Sequence, residues 1–337
     1  MLQIDRESNS SILIQDRIYG EVNITDPLAI AIIQTKTFQR LDDVSQMGVY
    51  NRAFTYLNTT RAEHSVGVYY LLNRFGAERE EQIAGLLHDV SHTVFSHVID
   101  HMLQRGLTQD FQDKKHGEFI RDSEIPTILQ KHGLGSSIVS DLTSFTLLDR
   151  HLPNLCADRL DYGLRDGVIC EVIPVEHVEM LLQGLEIAAE HWVFTEPTMA
   201  EYYFEKSIQM ARDWWAPCWG VLQFQLMGRA LRLGLDTGII MEADLFTTEN
   251  EVWEKLESSN DPKILEDLDR VKGIADVRYE IVANKTDLPL QSKYRGTNPL
   301  IFYNDLVVPV SFFCKNLTSI FISDKREIES LRYARLL

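Results

Sequence analysis

The sequence predicts a mostly α-helical fold with a short β-hairpin at the N-terminus and a small mixed α/β part at the C-terminus. Three observations carry that expectation. Residues 11–24, SILIQDRIYGEVNI, alternate and are rich in β-branched residues. Between about 26 and 234, helix-start signals precede stretches with apolar residues at helical spacing. From about 275 the chain changes character, and VRYEIVANK and LIFYNDLVVPVSFF read as strands.

Taken in order, the hairpin turns near Gly20. Asp26-Pro27 has the form of an N-cap followed by proline at the first helical position, and Gly48 is a plausible stop. Between them Ile30, Ile33, Phe38, Leu41 and Val44 approximate helical spacing, with a candidate break near Thr35–Thr37. A second helix starts at Thr60, where T-R-A-E is a capping box, and runs through Val66, Val68, Leu71 and Leu72 to Phe75-Gly76. A third begins near Glu80 and carries Ile83, Leu86, Leu87 and Val90. Further helices are expected around 116–132, 136–148, 155–166, 175–190 and 199–234. With no repeat, low-complexity tract or clear linker, the chain divides into a β segment (1–25), a helical core (26–235) and a C-terminal α/β region packed on it (236–337).

The 337 residues are 45% hydrophobic and 25% charged, ordinary globular values, and carry a formal net charge of -17. That charge repels long nucleic acid; a small anionic substrate stays open, because a metal ion and a few placed cations reverse the local field. Cys156, Cys170, Cys218 and Cys314 form no C-x-x-C pair and read as free thiols in a reducing compartment. The start MLQIDRESNS lacks the pattern of a signal peptide, and no apolar run reaches the roughly 18 residues of a membrane span. The expectation is a cytoplasmic protein with no membrane partner.

The densest chemistry lies in LLHDVSHTVFSHVID, residues 86–100. His88 and His92 are four apart, as are His97 and His101, and on a helix such pairs share a face. His88 and Asp89 diverge by about 100° of helix rotation, yet both reach an ion lying between their directions. Imidazole with carboxylate suits Zn, Fe, Mn or Ni. A single histidine at helical spacing is more often a surface or core residue than a ligand. Five of the ten histidines, however, fall within 88–116: His88, His92, His97, His101 and His116. Arg212-Asp-Trp-Trp-Ala-Pro-Cys-Trp219 holds three tryptophans, which read as a packed helix end or an oligomer contact before a base-binding slot.

His64, then His88-Asp89, then Asp158, each on its own helix, follow the ligand order of the HD-domain superfamily, which the chain resembles well beyond four residues. TFQRLDDVSQMG is similar to the F-Q-R-L-x-x-I-x-Q-L-G segment of the deoxynucleoside triphosphate triphosphohydrolases. RAEHSVGV resembles their R-F-E-H-S-x-G-V, LLHDVSHTVFSH their L-x-H-D-x-G-H-x-P-F-S-H, and CADRLDYGLRD their A/V-D-[RK]-x-D-Y-x-x-R-D. KYRGTNPLIFYNDLVVPVSFF is similar to the tail of bacterial members.

The resemblance implies an HD-domain helical core and one divalent transition metal (Fe, Mn, Zn or Ni) held by His64, His88, Asp89 and Asp158. Mg²⁺ accompanying a substrate triphosphate is a further candidate. The metal would polarise a phosphoryl oxygen or activate a water. His92 and His97 would face the scissile phosphate, as donors to its oxygens and as acid for the leaving 5′-oxygen. His116 with Asp100 is similar to the family's His–carboxylate pair, in which the carboxylate fixes the tautomer. Arg61 and Arg159 would contact phosphates, while Gln46, Tyr162 and Asp166 match positions around the sugar. A homo-oligomer is also implied.

Three departures bear on these expectations. Ser91 replaces the glycine after the HD pair and Thr93-Val94 the following G-P, so the backbone is expected to stay more regular there. Asp42-Asp43 stand where regulated members carry basic residues, and Gln34 where an aspartate reads a guanine, so that nucleotide activation is expected to be absent. Many relatives are longer, and Lys206 is a candidate for a further phosphate contact without a secure alignment. The leading expectation is hydrolysis of (deoxy)nucleoside triphosphates to nucleoside and triphosphate. An HD-type nucleotide monophosphatase or phosphodiesterase, or a non-catalytic nucleotide-sensing protein, stays open beside it.

Overall fold

The structure is a computed structural model and describes residues 4–8, 11–136, 139 and 141–337. Its first element is the expected hairpin, β2 (Ser11–Asp16) and β3 (Gly20–Ile24), to which β1 (Ile4–Ser8) adds a third antiparallel strand. Alternation buries Ile12 and Ile14 beside Val22 and Ile24 on the core face. The turn is closed by Asp16, whose Oδ1 accepts from the Ile18 and Tyr19 amides, and by Gly20 at φ 73°.

Asp26 caps α1 (Pro27–Ile33) with proline in the first turn. The break anticipated near Thr35 is present: the Thr35 hydroxyl caps α2 (Lys36–Gln39), which tightens into a 3-10 turn over Arg40–Asp43. The reciprocal capping box of Thr60 and Glu63 starts α3 (Arg61–Arg74), whose residues 61–69 are all buried. Packed against it, α4 (Arg79–Leu87) stops just before the histidine-rich segment.

The segment His88–His97 is turns, not helix, and Phe95 and Ser96 lie at φ 58° and 50°. The expectations of a regular helical backbone and of helical histidine faces are therefore corrected. Helix resumes as α5 (Val98–Met102), then α6 (Phe111–Arg121) and α7 (Ile125–Lys131). A helix expected over 136–148 is absent from residues 141–150, which form turns; positions 137, 138 and 140 lie outside the described residues.

Then come α8 (Ala157–Ile169) and α9 (Glu176–Gln183). Beyond Gly184 the helix expected to residue 190 gives way to a hairpin, β4 (Leu185–Ala188) and β5 (His191–Phe194). The long helix expected over 199–234 is split at Pro217 into α10 (Pro197–Met210) with a π-helical last turn, Ala211–Trp215, and α11 (Cys218–Asp236). Next are α12 (Glu249–Ser258) and α13 (Pro262–Lys272). The C-terminal strands are β6 (Tyr279–Val282), β7 (Leu288–Leu290), β8 (Leu300–Tyr303) and β9 (Leu306–Pro309), followed by α14 (Lys315–Glu329) and β10 (Arg332–Leu336). One sheet has the order β6-β10-β7; in the other, β8 lies parallel to β5, giving β4-β5-β8-β9.

Two apolar clusters hold this together. One gathers Val66, Leu71, Leu160, Leu164 and Phe204 from α3, α8 and α10; the other gathers Leu222, Leu226, Val252 and Leu268 from α11, α12 and α13. Burying each such side chain contributes about 1.5–3 kcal/mol. The four cysteines are free thiols, and among the described residues no helix is long and apolar enough to cross a membrane.

Candidate metal centre and its cavity

α3, the end of α4 and the first turn of α8 meet at four side chains. His64 Nε2 lies 3.2 Å from His88 Nε2, 3.0 Å from Asp158 Oδ1 and 3.7 Å from Asp89 Oδ2. His88 Nε2 lies 3.5 Å from Asp89 Oδ1 and 3.6 Å from Asp158 Oδ1. The outer nitrogens are already committed: His64 Nδ1 is 2.7 Å from Asp161 Oδ2 and His88 Nδ1 2.7 Å from the Gly85 carbonyl. With Nδ1–H donated there, both Nε2 atoms face inward beside two carboxylates, where each would offer its lone pair to a bound ion.

One ligand atom each from His64, His88 and Asp89 fall within 4.8 Å of one another, and two imidazoles with two carboxylates form a donor set suited to a divalent transition ion. The electrostatics agree. Burial pulls the His64 imidazole down, yet Asp158 and Asp161 outweigh it and push it up to about 10. Burial likewise opposes ionisation of Asp89, but Arg61 and then His88 hold it well below the usual carboxylate range. The cluster thus selects for positive charge at its centre. Behind it, Asp161 accepts from the Tyr19 hydroxyl at 2.8 Å and from Arg165, which also pairs with Asp16 at 2.9 Å. The N-terminal hairpin thereby braces a ligand.

The remaining predicted residues surround this cluster. Arg61 donates to Asp89 Oδ2 at 2.6 Å and to Ser96 Oγ at 2.9 Å. His92 Nε2 sits 3.3 Å from Asp89 Oδ1; burial, then Arg61, pushes it down to about 4, so it is neutral. The expected His116–Asp100 pair does not form. His116 bonds Ser91 Oγ (2.9 Å) and the Val139 carbonyl (2.9 Å), whereas Asp100 Oδ2 lies 3.1 Å from His97 Nδ1. The tautomer-fixing carboxylate serves His97 instead, and the Ser91 hydroxyl is His116's partner.

Gln46, Arg61, Asp158, Arg159, Tyr162 and Asp166 line one cavity with His88, Asp89, His92 and His97. Three atoms of its wall are buried without a hydrogen-bond partner among the described residues: Gln46 Oε1, Tyr162 Oη and Asp166 Oδ1. Burial pushes the Asp166 carboxyl up to about 6, against the pull of the Trp215 indole N–H, which donates to Oδ2 at 2.9 Å. Arg159 is tied to Asp149 (3.0 Å) and to Cys156 Sγ (2.9 Å). Lys206 is not among the lining residues.

Several lining residues escaped the sequence reasoning. Trp215 lines the cavity, while Trp214 packs on Trp219 and Trp219 on Tyr50, as a packed helix end would. Lys293 and Arg295 come from the KYRGTNP segment, where two cations inside a family-like stretch were the available signal. Gln109 and Gln112 carried no signal.

The HD domain family matches residues 61–143, which hold His64, His88 and Asp89. An uncharacterised Bacillus subtilis protein, YdhJ, is 34% identical over 294 residues, 87% of this chain and 89% of that protein. The metal-dependent phosphohydrolase cns2 of Cordyceps militaris is 30% identical over 272 residues, 79% of each. A Dictyostelium discoideum protein, the deoxynucleoside triphosphate triphosphohydrolase SAMHD1 homolog, is 31% identical over 191 residues, 47% of this chain and 36% of that one. The crystal structure of a phosphohydrolase from Bacteroides thetaiotaomicron shares the fold with a TM-score of 0.69 at 18% identity, over 96% of this chain and all of that one. The match to a metal-dependent phosphohydrolase over most of both chains, with the His/Asp cluster in place, gives the class: a metal-dependent phosphohydrolase. The chain belongs to the HD-domain phosphohydrolases.

Proposed function

We propose that the enzyme hydrolyses deoxynucleoside triphosphates at the α-phosphate, releasing nucleoside and triphosphate. The observation that carries this reading is the trio of partnerless polar atoms, Gln46 Oε1, Tyr162 Oη and Asp166 Oδ1, in the same cavity as the His/Asp cluster. Buried polar atoms left unpaired cost about 1–3 kcal/mol each, so such a wall suits a ligand with hydroxyl and ring edges, as a nucleoside has. The Dictyostelium relative, named for this activity, supports it.

His64, His88, Asp89 and Asp158 would hold the metal, which when bound draws electron density from a phosphoryl oxygen. The chain's own groups do the rest. Arg61, Arg159, Lys293 and Arg295 line the cavity and offset its carboxylates toward a polyanion, in a protein whose net charge is -17. Neutral His92 is able to donate to a phosphate oxygen, and His97, oriented by Asp100, to carry the proton for the leaving oxygen. Asp166 and Tyr162 would meet the sugar hydroxyl.

One observation favours a second reading, a nucleotide monophosphatase. Arg61 and Arg159 are already paired with Asp89 and Asp149, which leaves Lys293 and Arg295 as the lining cations with no ion-paired carboxylate among the described residues, enough for a single phosphate. Product chromatography separates the two. Purified enzyme is incubated with each deoxynucleoside triphosphate and each nucleoside monophosphate, with Mn²⁺, Fe²⁺, Zn²⁺ or Mg²⁺, beside a His88→Ala control. Nucleoside with intact triphosphate is the expected outcome; inorganic phosphate from monophosphates alone would replace the first reading with the second.

A further inference from the structure

The loop between β7 and β8 delivers Arg295 against His97. Arg295 Nη2 lies 2.8 Å from His97 Nε2 and 2.5 Å from Gln109 Oε1, and the guanidinium sits 6.0 Å from the Tyr162 ring centroid. Among the described residues neither Arg295 nor Lys293 has an ion-pair partner, and both line the cavity. A guanidinium only donates, so His97 Nε2 accepts from it. The imidazole proton must then sit on Nδ1, donated to Asp100 Oδ2 at 3.1 Å. In this state the cavity-facing nitrogen has no proton to give.

We propose that Arg295 is a phosphate ligand that doubles as a cap on His97, and that a phosphate entering the cavity draws the guanidinium away and thereby arms His97 as the general acid. Planar, charge-assisted pairing makes phosphate a far better partner for a guanidinium than a neutral ring nitrogen. The groups facing His97 are Asp100 on α5, His92 in the HD turn, Arg61 on α3, and Lys293 and Arg295 on the loop. Asp100 is the single carboxyl among them, and burial pushes it up to about 6. Burial first, and Arg295 next, hold the His97 imidazole well below its ordinary range. A bound phosphate adds negative charge and moves one cation off Nε2, and both changes favour protonation.

During turnover the bond from phosphorus to the leaving oxygen breaks, its electron pair stays on that oxygen, and the His97 Nε2 proton goes to it. The attacking water forms the new P–O bond and gives up one proton, which closes the balance. Waiting for phosphate before arming the acid keeps the site from holding a charged imidazolium among three cations when empty.

The proposal rests on reading His97 as the proton donor, and its test separates the two. Histidine-labelled protein, loaded with diamagnetic Zn²⁺ or Mg²⁺, is titrated by NMR between pH 5 and 8 with and without inorganic phosphate, His97 being assigned from a His97→Gln sample. In wild type His97 is expected to stay the neutral Nδ1–H tautomer without phosphate and to protonate with it. In Arg295→Met it is expected to titrate without phosphate, metal content is unchanged, and kcat/KM on the phosphate ester cleaved by wild type falls roughly 10- to 100-fold, the weight of a charged hydrogen bond. A His97 signal indifferent to phosphate in wild type, or an Arg295→Met enzyme within twofold of wild-type kcat/KM, would overturn it. If His97 responds as expected but His97→Gln retains full turnover, the proton-donor role fails while the phosphate-driven release of Arg295 stands.

Discussion

Gly67, in the middle of α3, offers a direct probe of the brace behind the metal cluster. A mid-helix glycine costs about 1 kcal/mol relative to alanine, so Gly67→Ala would stabilise the helix if space allowed. A Cβ at Gly67 would instead overlap Asp161 Oδ1 and Arg165 Nη2 and lie 2.7 Å from Asp161 Cγ. Asp161 and Arg165 are both fully buried, with no room to yield except by pulling the carboxylate off His64 Nδ1. Losing such an outer partner costs roughly 10- to 100-fold in metal affinity. With the ion in excess, the metal-dependent part of the stability falls by about 1.4–2.8 kcal/mol. Overpacking adds about 1–3 kcal/mol that is independent of metal. The assay is thermal unfolding with and without Mn²⁺ or Zn²⁺, with bound metal measured by elemental analysis after equilibrium dialysis. The variant is expected to be less stable without metal and to gain less from it. A folded Gly67→Ala protein that binds metal as wild type does would refute the idea that Asp161 orients His64.

Other residues yield sharper single outcomes. His88→Ala and Asp158→Ala are each expected to release the metal and abolish hydrolysis; turnover by a metal-depleted variant would sink the ligand assignment. Trp215→Phe removes the one donor to Asp166 Oδ2 among the described residues, leaving a buried carboxyl with no partner among them, and is expected to raise KM about tenfold with kcat less affected. An unchanged KM would mean that Asp166 does not meet the substrate. Glu249, at the start of α12, accepts from the amides of Ser45 (2.7 Å) and Phe95 (3.1 Å), and burial pushes it up to about 7 from 4.5. The fold thus favours its protonated form: this group's stability is complete below pH 4.5 and is lost as pH rises through 7, by at most about 3 kcal/mol. Relative to Glu249→Gln, the wild-type Tm should fall between pH 5 and 8, and parallel Tm–pH curves would contradict this.

Signals written within a few residues were legible. Asp26-Pro27 and the Thr60–Glu63 capping box mark the starts of α1 and α3, because a cap is satisfied by its own neighbours. The ordered motifs led to His64, His88, Asp89 and Asp158, which the fold brings into contact. The His88–His97 segment misled because its i, i+4 histidines mimic a helix, while its backbone is claimed from far away in sequence. Arg40 Nη2 takes the carbonyls of Val90 and His92 at 2.8 and 2.7 Å, and Glu249 takes the Phe95 amide. Groups that a helix would pair internally are spent on partners 50 to 154 positions away, which no local periodicity records. Lys293 and Arg295 likewise reach the cavity from a loop near the C-terminus, and charge alone did not say where they would point.

The HD turn departs from the family pattern without dispersing the site, and the reason lies in where its strain sits. Ser91, in the glycine's place, is not among the residues with positive φ, so nothing in its own conformation requires a glycine. The left-handed residues are Phe95 and Ser96, four and five positions on, each costing about 1–2 kcal/mol. Such strain persists only where the surroundings over-determine it. Here they do: Glu249 holds the Phe95 amide, and Ser96 Oγ donates to the Ser45 carbonyl at 2.6 Å while accepting from Arg61 Nε. Arg61 in turn holds Asp89. A polar path therefore runs from a buried glutamate of α12 through Ser45, Ser96 and Arg61 to the carboxylate at the metal cluster. Ser91, freed of any conformational duty, ties His116 and Gln112 to the turn through its hydroxyl, at 2.9 Å each. Asp100 meanwhile faces His97 Nδ1 at 3.1 Å. The serine hydroxyl thus fastens His116 and Gln112 to the turn, and the His/Asp cluster stays assembled with no glycine after the HD pair.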